Sequence, residues 1–306
     1  MTTSAVLEKL RPSLLNRAEL MISGLSDKRI QASVRRGELR RLSPGLYVRR
    51  EQWETSGAIH RHLLSALAVH ESAAAAPTFS HFTAAAILGL PLLMQGLSRV
   101  HTLQQRTSKV RSSPRILRHT GAFARQETQV TAGLTHTDLP RTAIDIARTG
   151  TFEQGVIAGD AAIRRLVERD GGALEHHRAS LLRTLERMPR SAGYRRATRV
   201  LQFLDDGAGS SLESLFRLQF ARLGFQVRTQ VPVQNPDGGF YRLDFELIGH
   251  DAFFEEKTRE DWVRGRERKS VLRGGWEHAR TMEATAARLR AFGVIPPAGR
   301  APLHLF

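Results

Sequence analysis

Cysteine is absent from all 306 residues, which excludes a disulfide framework, a thiolate zinc site and a cysteine nucleophile, and fits a reducing compartment. Acidic residues are scarce. The 30 Asp and Glu stand against 46 Lys and Arg, giving a formal net charge of +16. A field of that sign favours polyanions, nucleic acid first and acidic membrane surface second. Lysine is scarcer still, occurring only at residues 9, 28, 109, 257 and 269, so arginine is the default cation. Long apolar runs are missing too. The longest, Thr83 to Met94, is too short to span a bilayer, and the opening residues lack the apolar core of a signal peptide, so the chain reads as cytoplasmic. There is no GxxxxGK phosphate loop to support P-loop nucleotide hydrolysis, no internal repeat and no extended low-complexity segment. A hydrophobic content of 41% over this length supports real cores in two or three domains.

The basic excess is concentrated at the front, where residues 1 to 50 hold eleven Lys and Arg against four acids, whereas residues 201 to 250 hold four against six. Asn16 is placed to cap a helix running to Met21, Gly24 marks a turn, and Ser26 caps a second helix from Asp27 to Arg36. In that second helix Ile30 and Val34 form the inward stripe, leaving Lys28, Arg29, Gln31, Arg35 and Arg36 on the other surfaces, the arrangement of a recognition helix. Leu39 to Arg50 alternates apolar and basic residues around Ser43-Pro44-Gly45 and reads as a hairpin, the wing. Arg29, Gln31 and Arg35 suit base edges, because Arg pairs with guanine and Gln with adenine. Lys28, Arg40, Arg41 and Arg49 suit phosphates. The plainer alternative is a solvated basic helix. Adhesion to acidic membrane is disfavoured, since the basic segments lack a strongly apolar helix face.

Residues 55 to 90 read as Ala-rich helix ended by Pro91, 98 to 137 as several strands, 138 to 146 as helix, and 153 to 204 as a long basic helical region broken near Gly171-Gly172 and Pro189. His81, between Phe79 and Phe82, reads as a hydrogen-bonded core histidine, and His62 as a surface or packing residue. Asp205 to Ser210 is rich in turn residues and reads as a linker. Beyond it the pattern is a helix to about Leu223, strands over 227 to 234, 240 to 248 and 252 to 258, and a closing helix. Strict alternation over the second strand puts Tyr241, Leu243, Phe245 and Leu247 on one face and Asp244 on the other.

Side chains alternate along a strand, so Glu255 and Lys257 share a face of the third strand. If the second and third strands are neighbours, Asp244 comes beside Glu255. Two carboxylates suit a hard divalent cation such as Mg²⁺, with the ammonium group supporting an attacking hydroxide during phosphodiester cleavage. Glu213 on the preceding helix could add a further acid, or simply favour the first turn of that helix. The plainer reading of residues 255 to 261 is a solvated charged face. Lysine at 257 stands out in a chain that otherwise uses arginine, because a guanidinium cannot take the compact point-charge role.

Gly24-Leu25-Ser26, Arg35-Arg36-Gly37-Glu38-Leu39 and Pro44-Gly45-Leu46-Tyr47 resemble the winged helix of AbiEi-type antitoxins of type IV toxin-antitoxin systems. Ser80-His81-Phe82-Thr83-Ala84-Ala85 and Leu139-Pro140-Arg141-Thr142-Ala143-Ile144-Asp145 look like the segment that follows it in relatives. Ser211-Leu212-Glu213-Ser214, Gln230, Arg242-Leu243-Asp244-Phe245 and Leu272-Arg273-Gly274-Gly275-Trp276 are similar to a domain related to very-short-patch-repair endonucleases. The resemblance implies an α+β multidomain chain: a winged helix-turn-helix over 1–52, a mixed α/β middle domain over 53–204, and a restriction-endonuclease-like PD-(D/E)xK domain over 210–306. It implies DNA as partner, Mg²⁺ as cofactor and a cognate toxin, and says nothing of oligomeric state. Where relatives carry an acid, an apolar residue, Asp-Gly and Lys, this chain has Phe253-Phe254-Glu255-Glu256-Lys257, so only the (D/E)xK core remains. Two functions follow: a DNA-binding endonuclease, or an antitoxin-like regulator whose nuclease-like domain does not cut.

Overall fold

The computed structural model describes residues 2–93, 97–105, 107, 110–188, 192–234, 238–255 and 270–297. They form a mixed α+β structure that divides into two compact units. The first comprises Met1–Thr149 with Glu186–Pro189, and the second Gly150–Leu185 with Arg190–Phe306. Among the described residues no helix is long and apolar enough to cross a membrane.

The first unit opens with α1 (Thr3–Leu10), β1 (Leu15–Asn16), α2 (Arg17–Ile22) and α3 (Asp27–Arg36). A hairpin of β2 (Leu39–Ser43) and β3 (Leu46–Arg49) follows. Local chemistry accounts for the boundaries. Asn16 and Glu19 form a reciprocal capping box at the start of α2, and the Ser26 hydroxyl accepts from Arg29 N–H. Gly37 ends α3 in the left-handed conformation, at φ +78°, that a Cβ would strain. The three strands pair antiparallel in the order β1-β3-β2. Leu20, Ile30, Leu39 and Tyr47 form a small core beneath α3.

Next come α4 (Arg50–Thr55), α5 (Ala58–Ser72), β4 (Thr78–Phe79), α6 (His81–Leu88), β5 (Val100–Gln104), β6 (Ile116–Thr120), β7 (Thr128–Thr131), β8 (Leu134–Thr137) and α7 (Leu139–Thr149). Their sheet runs β6-β5-β4-β8-β7. Residues 55 to 90 are therefore not helical throughout: β4 interrupts them, and α6 stops at Gly89 rather than Pro91. His62 is buried between α5 and α6, with Nε2 2.8 Å from Thr83 Oγ1 and Nδ1 3.1 Å from the Leu97 carbonyl. One apolar cluster joins Leu7, Leu42 and Val48 to Leu63, Phe79 and Leu134, so the boundary drawn at residues 52 and 53 falls inside a shared core.

The second unit begins with α8 (Phe152–Asp170), α9 (Leu174–Glu186) and α10 (Tyr194–Phe203). It continues with α11 (Ser211–Arg222), β9 (Val227–Gln234), β10 (Phe240–Leu247), β11 (Ala252–Glu255), β12 (Ser270–Arg273), α12 (Trp276–Ala279) and α13 (Met282–Arg290). Its sheet runs β12-β11-β10-β9, with β12 parallel to β11 and the other pairs antiparallel. The fourth strand, β12, lies beyond the three read from the sequence.

The stretch read as a linker is fastened on both sides. Asp205 N–H donates to Asp160 Oδ1 at 2.9 Å, Thr229 Oγ1 donates to Asp205 Oδ1 at 3.1 Å, and Ala208 is buried. Asp160, on α8, also receives Arg217 Nη2 at 2.8 Å on both oxygens and Ser214 Oγ at 2.8 Å. The Arg217 guanidinium lies 4.2 Å over the Phe203 ring, and its Nη1 donates to the Phe203 carbonyl. Burial pushes the Asp160 carboxyl up from its ordinary range, against the pull of the guanidinium.

Removing one partner of a buried pair strands the other charge, so Asp160→Ala or Arg217→Met should each destabilise the second unit by about 3–5 kcal/mol. The double variant Asp160→Leu with Arg217→Met should cost less than either single change. Hydrogen exchange of the α8 and α11 amides in urea, followed by mass spectrometry, checks the order.

Candidate functional site

All seven side chains read as contacting DNA, Lys28, Arg29, Gln31, Arg35, Arg36, Arg40 and Arg41, are exposed. At 100° per residue, the buried Ile30 and Ser33 and half-buried Val34 define the inner face of α3. Lys28 and Arg35, spaced i, i+7, then point outermost, with Gln31 on one flank and Arg29 and Arg36 on the other. Arg36 is already committed, because it donates to Glu38 at 2.6 and 3.0 Å and holds that carboxyl down at about 2. Arg17 likewise pairs with Asp27 at the start of α3. Arg40 and Arg41 lie on β2 and line a cleft of about 600 Å³ with Arg61, Arg99, Arg115 and Trp53. No acid lines it. The Arg40 guanidinium sits 4.6 Å over the Trp53 ring, and Arg115 donates to the Leu42 carbonyl.

In the second unit, α11 carries Glu213 in its first turn, where Ser210 Oγ caps the Glu213 N–H at 3.1 Å. Glu213 is buried, and its Oε2 accepts from Gly209 N–H at 2.7 Å and from Gln230 Nε2 at 3.2 Å. The aromatic rings of α11 set the position of the sheet. Phe216 packs at 4.4 Å on Phe254, and Phe220 at 5.4 Å on Phe245 and 5.1 Å on Phe254. The same rings leave no space for a Cβ at Gly274, which explains a glycine just past β12.

β10 and β11 are neighbours, paired Phe245 to Phe254 and Glu246 to Phe253. Continuing that register by one residue sets Asp244 opposite Glu255. On the other side of β10, Leu243 pairs with Val231 and Phe245 with Thr229, so Asp244 stands across from Gln230. The expected strict alternation does not hold. Leu243 packs with Val231, Val233, Phe253 and Val271, whereas Phe245 packs with Phe220 and Phe254 on the opposite layer. Residues two apart have changed face, and the break falls between them, at Asp244. Gln230 on the facing strand has φ +50°, a conformation that costs a non-glycine residue about 1–2 kcal/mol. This strained glutamine donates to buried Glu213 and stands across from buried Asp244. Glu255 is described as the last residue of β11, and Lys257 lies outside the described residues. Buried Asp244 and Glu213 offer oxygen alone, the donor chemistry that suits a hard cation such as Mg²⁺.

A group missed from the sequence lies in the first unit, where His81, His101 and His119 bring ligand atoms within 4.8 Å of one another. Their separations in the chain carry no helical or strand period that would have signalled it.

No model of a known protein family matches the chain, and no curated protein matches it significantly.

If the strain at Gln230 serves to aim its amide at Glu213, Gln230→Ala should lose the hydrogen bond while keeping the strain, and Gln230→Gly should lose both. Gln230→Gly is therefore expected to be more stable than Gln230→Ala by about 1 kcal/mol. Urea denaturation of the two variants measures the difference.

Proposed function

We propose that this protein binds duplex DNA through a winged helix-turn-helix, with α3 as recognition helix and the β2–β3 hairpin as wing. We further propose that its second unit is a PD-(D/E)xK-class domain that cleaves phosphodiesters with Mg²⁺. The observation that carries the reading is that buried Asp244 falls opposite Glu255 in the strand register and across from Gln230, whose amide hydrogen-bonds buried Glu213. Exposed Lys28, Gln31 and Arg35, on the most basic stretch of the chain, support the binding half. Arg40 and Arg41 on the proposed wing, beside the acid-free cleft, suit phosphates. A cytoplasmic location, which the absence of cysteine favours, belongs to this reading.

In the cleavage step Asp244 and Glu255 would hold the cation and Glu213 would stay hydrogen-bonded to Gln230, fixing the amide beside them. A bound Mg²⁺ supplies polarisation of the scissile phosphate and a lowered pKa of attacking water. Lys257 is assigned the support of the attacking hydroxide and the developing charge.

One observation favours a second reading, an antitoxin-like regulator that does not cut. Phe253, at the position where nuclease relatives carry an acid, is packed among Val231, Leu243 and Val271, so the strand presents apolar surface there. The partner in that case would be a toxin encoded alongside.

Supercoiled plasmid with Mg²⁺ or Mn²⁺ separates the two. Nicking by wild type that Asp244→Asn and Glu255→Gln abolish supports cleavage at this site. Equal nicking by wild type and Asp244→Asn would place any activity elsewhere, and no nicking by wild type would leave the regulator.

Binding is read separately by gel shift on duplex DNA. Lys28→Ala and Arg35→Ala should each weaken affinity about tenfold, a loss of about 1.4 kcal/mol, with a shallower salt dependence. Arg36→Ala, already neutralised by Glu38, should change it less. Uniform affinity across all three would remove α3 from the interface.

A further inference from the structure

His81, His101 and His119 come from three elements of the first unit: the first turn of α6, the second residue of β5 and the fourth of β6. Parallel pairing sets His101 opposite Leu117 and His119 opposite Leu103, so the two histidines are diagonal neighbours on one face of the sheet. His101 Nδ1 lies 3.0 Å from His119 Nε2. The His81 ring stacks on that of His119 with centroids 3.5 Å apart, tilted by 12°. His81 and His101 are buried, and each of the three offers one ligand atom within 4.8 Å of the other two.

Two observations distinguish this group from packed core. His81 holds φ +50°, sparsely populated for a residue with a Cβ, and such strain collects at ligand clamps. Beside it, on α7, Asp145 is 3% exposed, and its Oδ1 accepts from Arg141 Nε at 3.0 Å. The other oxygen, Oδ2, is fully buried without a hydrogen-bond partner among the described residues, 3.8 Å from His81 Nδ1, which itself lies within hydrogen-bond distance of Ser80 Oγ at 2.9 Å. A carboxylate oxygen in that state costs free energy unless something draws on its charge.

Burial pushes all three imidazoles down: His81 well below its ordinary range, His101 to about 3 and His119 to about 4. Two guanidiniums of α7, Arg141 and Arg148, act on His81, and Arg141 is offset by Asp145 and by Glu127, each at 3.0 Å.

We propose that His81, His101 and His119 form a binding site for a borderline transition-metal ion, Zn²⁺ in the first instance, with Asp145 as the carboxylate that orients His81. Neutral nitrogen donors without thiolates suit Zn²⁺ rather than Mg²⁺. Asp145 lies outside the mutually close set, so it fits the outer carboxylate that metal-bound histidines commonly engage. A tetrahedral ion with bonds of about 2.0–2.1 Å requires the His101–His119 contact to open and the His81 ring to turn out of its stack on His119, because each imidazole donates in its own ring plane. The fourth position would go to water. This site is independent of the carboxylates of the second unit.

The test uses the full chain, stripped with chelator and titrated with Co²⁺. The expected result is intense visible bands of a tetrahedral cobalt centre saturating at one equivalent, bleached by Zn²⁺ and untouched by excess Mg²⁺. His101→Gln and His119→Gln should abolish them, and Asp145→Asn should weaken affinity by about 10- to 100-fold while keeping the bands. Absence of the bands in wild type, or their survival in both glutamine variants, overturns the proposal. If a glutamine variant fails to fold by circular dichroism, X-ray absorption at the zinc edge of the wild-type protein decides: three imidazoles in the shell support the site, and fewer overturn it.

Discussion

Arg217 reaches both oxygens of a fully buried Asp160, and the same carboxylate also takes Ser214 Oγ and the Asp205 N–H. Removing two charges from water costs several kcal/mol per ion, which their attraction offsets only when the remaining lone pairs and protons are also met. Here they largely are. A single carboxylate therefore fixes three stretches of chain, around residues 160, 205 and 214–217, at one point. The geometry of the second unit follows from it. With Asp205 held on α8 and Thr229 bonded to Asp205, the path from α10 to α11 is clamped between a helix and a strand.

From that point the positions of the candidate residues follow by contact. The clamped path brings Ser210 to the start of α11, and Ser210 caps the turn that contains Glu213. One turn further, Phe216 and Phe220 seat the helix on Phe254 and Phe245, which fixes α11 against β10 and β11. Glu213 then meets the sheet where β9 and β10 break their alternation, within reach of Gln230. Carboxylates held on a helix and on paired strands, with rings packed beneath them, are located more firmly than any loop could locate them.

Much of this was legible in the sequence, and the difference lies in how local each signal is. The caps at Asn16 and Ser26, the stripe of Ile30 and Val34 and the Ser43-Pro44-Gly45 turn each act within a few residues, and α2, α3 and the hairpin fall where they point. The bounds of β9 follow from turns in the same way, whereas the pairing of β10 with β11, the condition for setting Asp244 beside Glu255, is supplied by the fold. Asp205 to Ser210 has the composition of a linker, but what holds it is Asp160, 45 residues upstream, which no local pattern reveals. The face change at Asp244 was hidden because Tyr241, Leu243, Phe245 and Leu247 keep a period of two in sequence while the backbone shifts between them. The histidine group was invisible for a related reason. His101 and His119 meet only because β5 and β6 pair in parallel, and His81 reaches them from a helix start.

Backbone strain separates the candidate sites from ordinary architecture. Three described residues other than glycine have positive φ: His81, Ala132 and Gln230. Ala132 is explained by its surroundings. With Gly133 at φ +83° it forms the two-residue turn between Thr131 and Leu134, and right-handed strand twist favours a mirror-image turn with both central residues left-handed. No turn requires the conformations of His81 and Gln230. One stands at the first residue of a helix and the other inside an eight-residue strand. Each places a polar side chain where regular geometry would not: an imidazole against two others beside a buried carboxylate, and an amide onto Glu213 across from Asp244. Strain at these two positions is retained because the packing around them over-determines it, and it falls on the two places proposed as ligand sites.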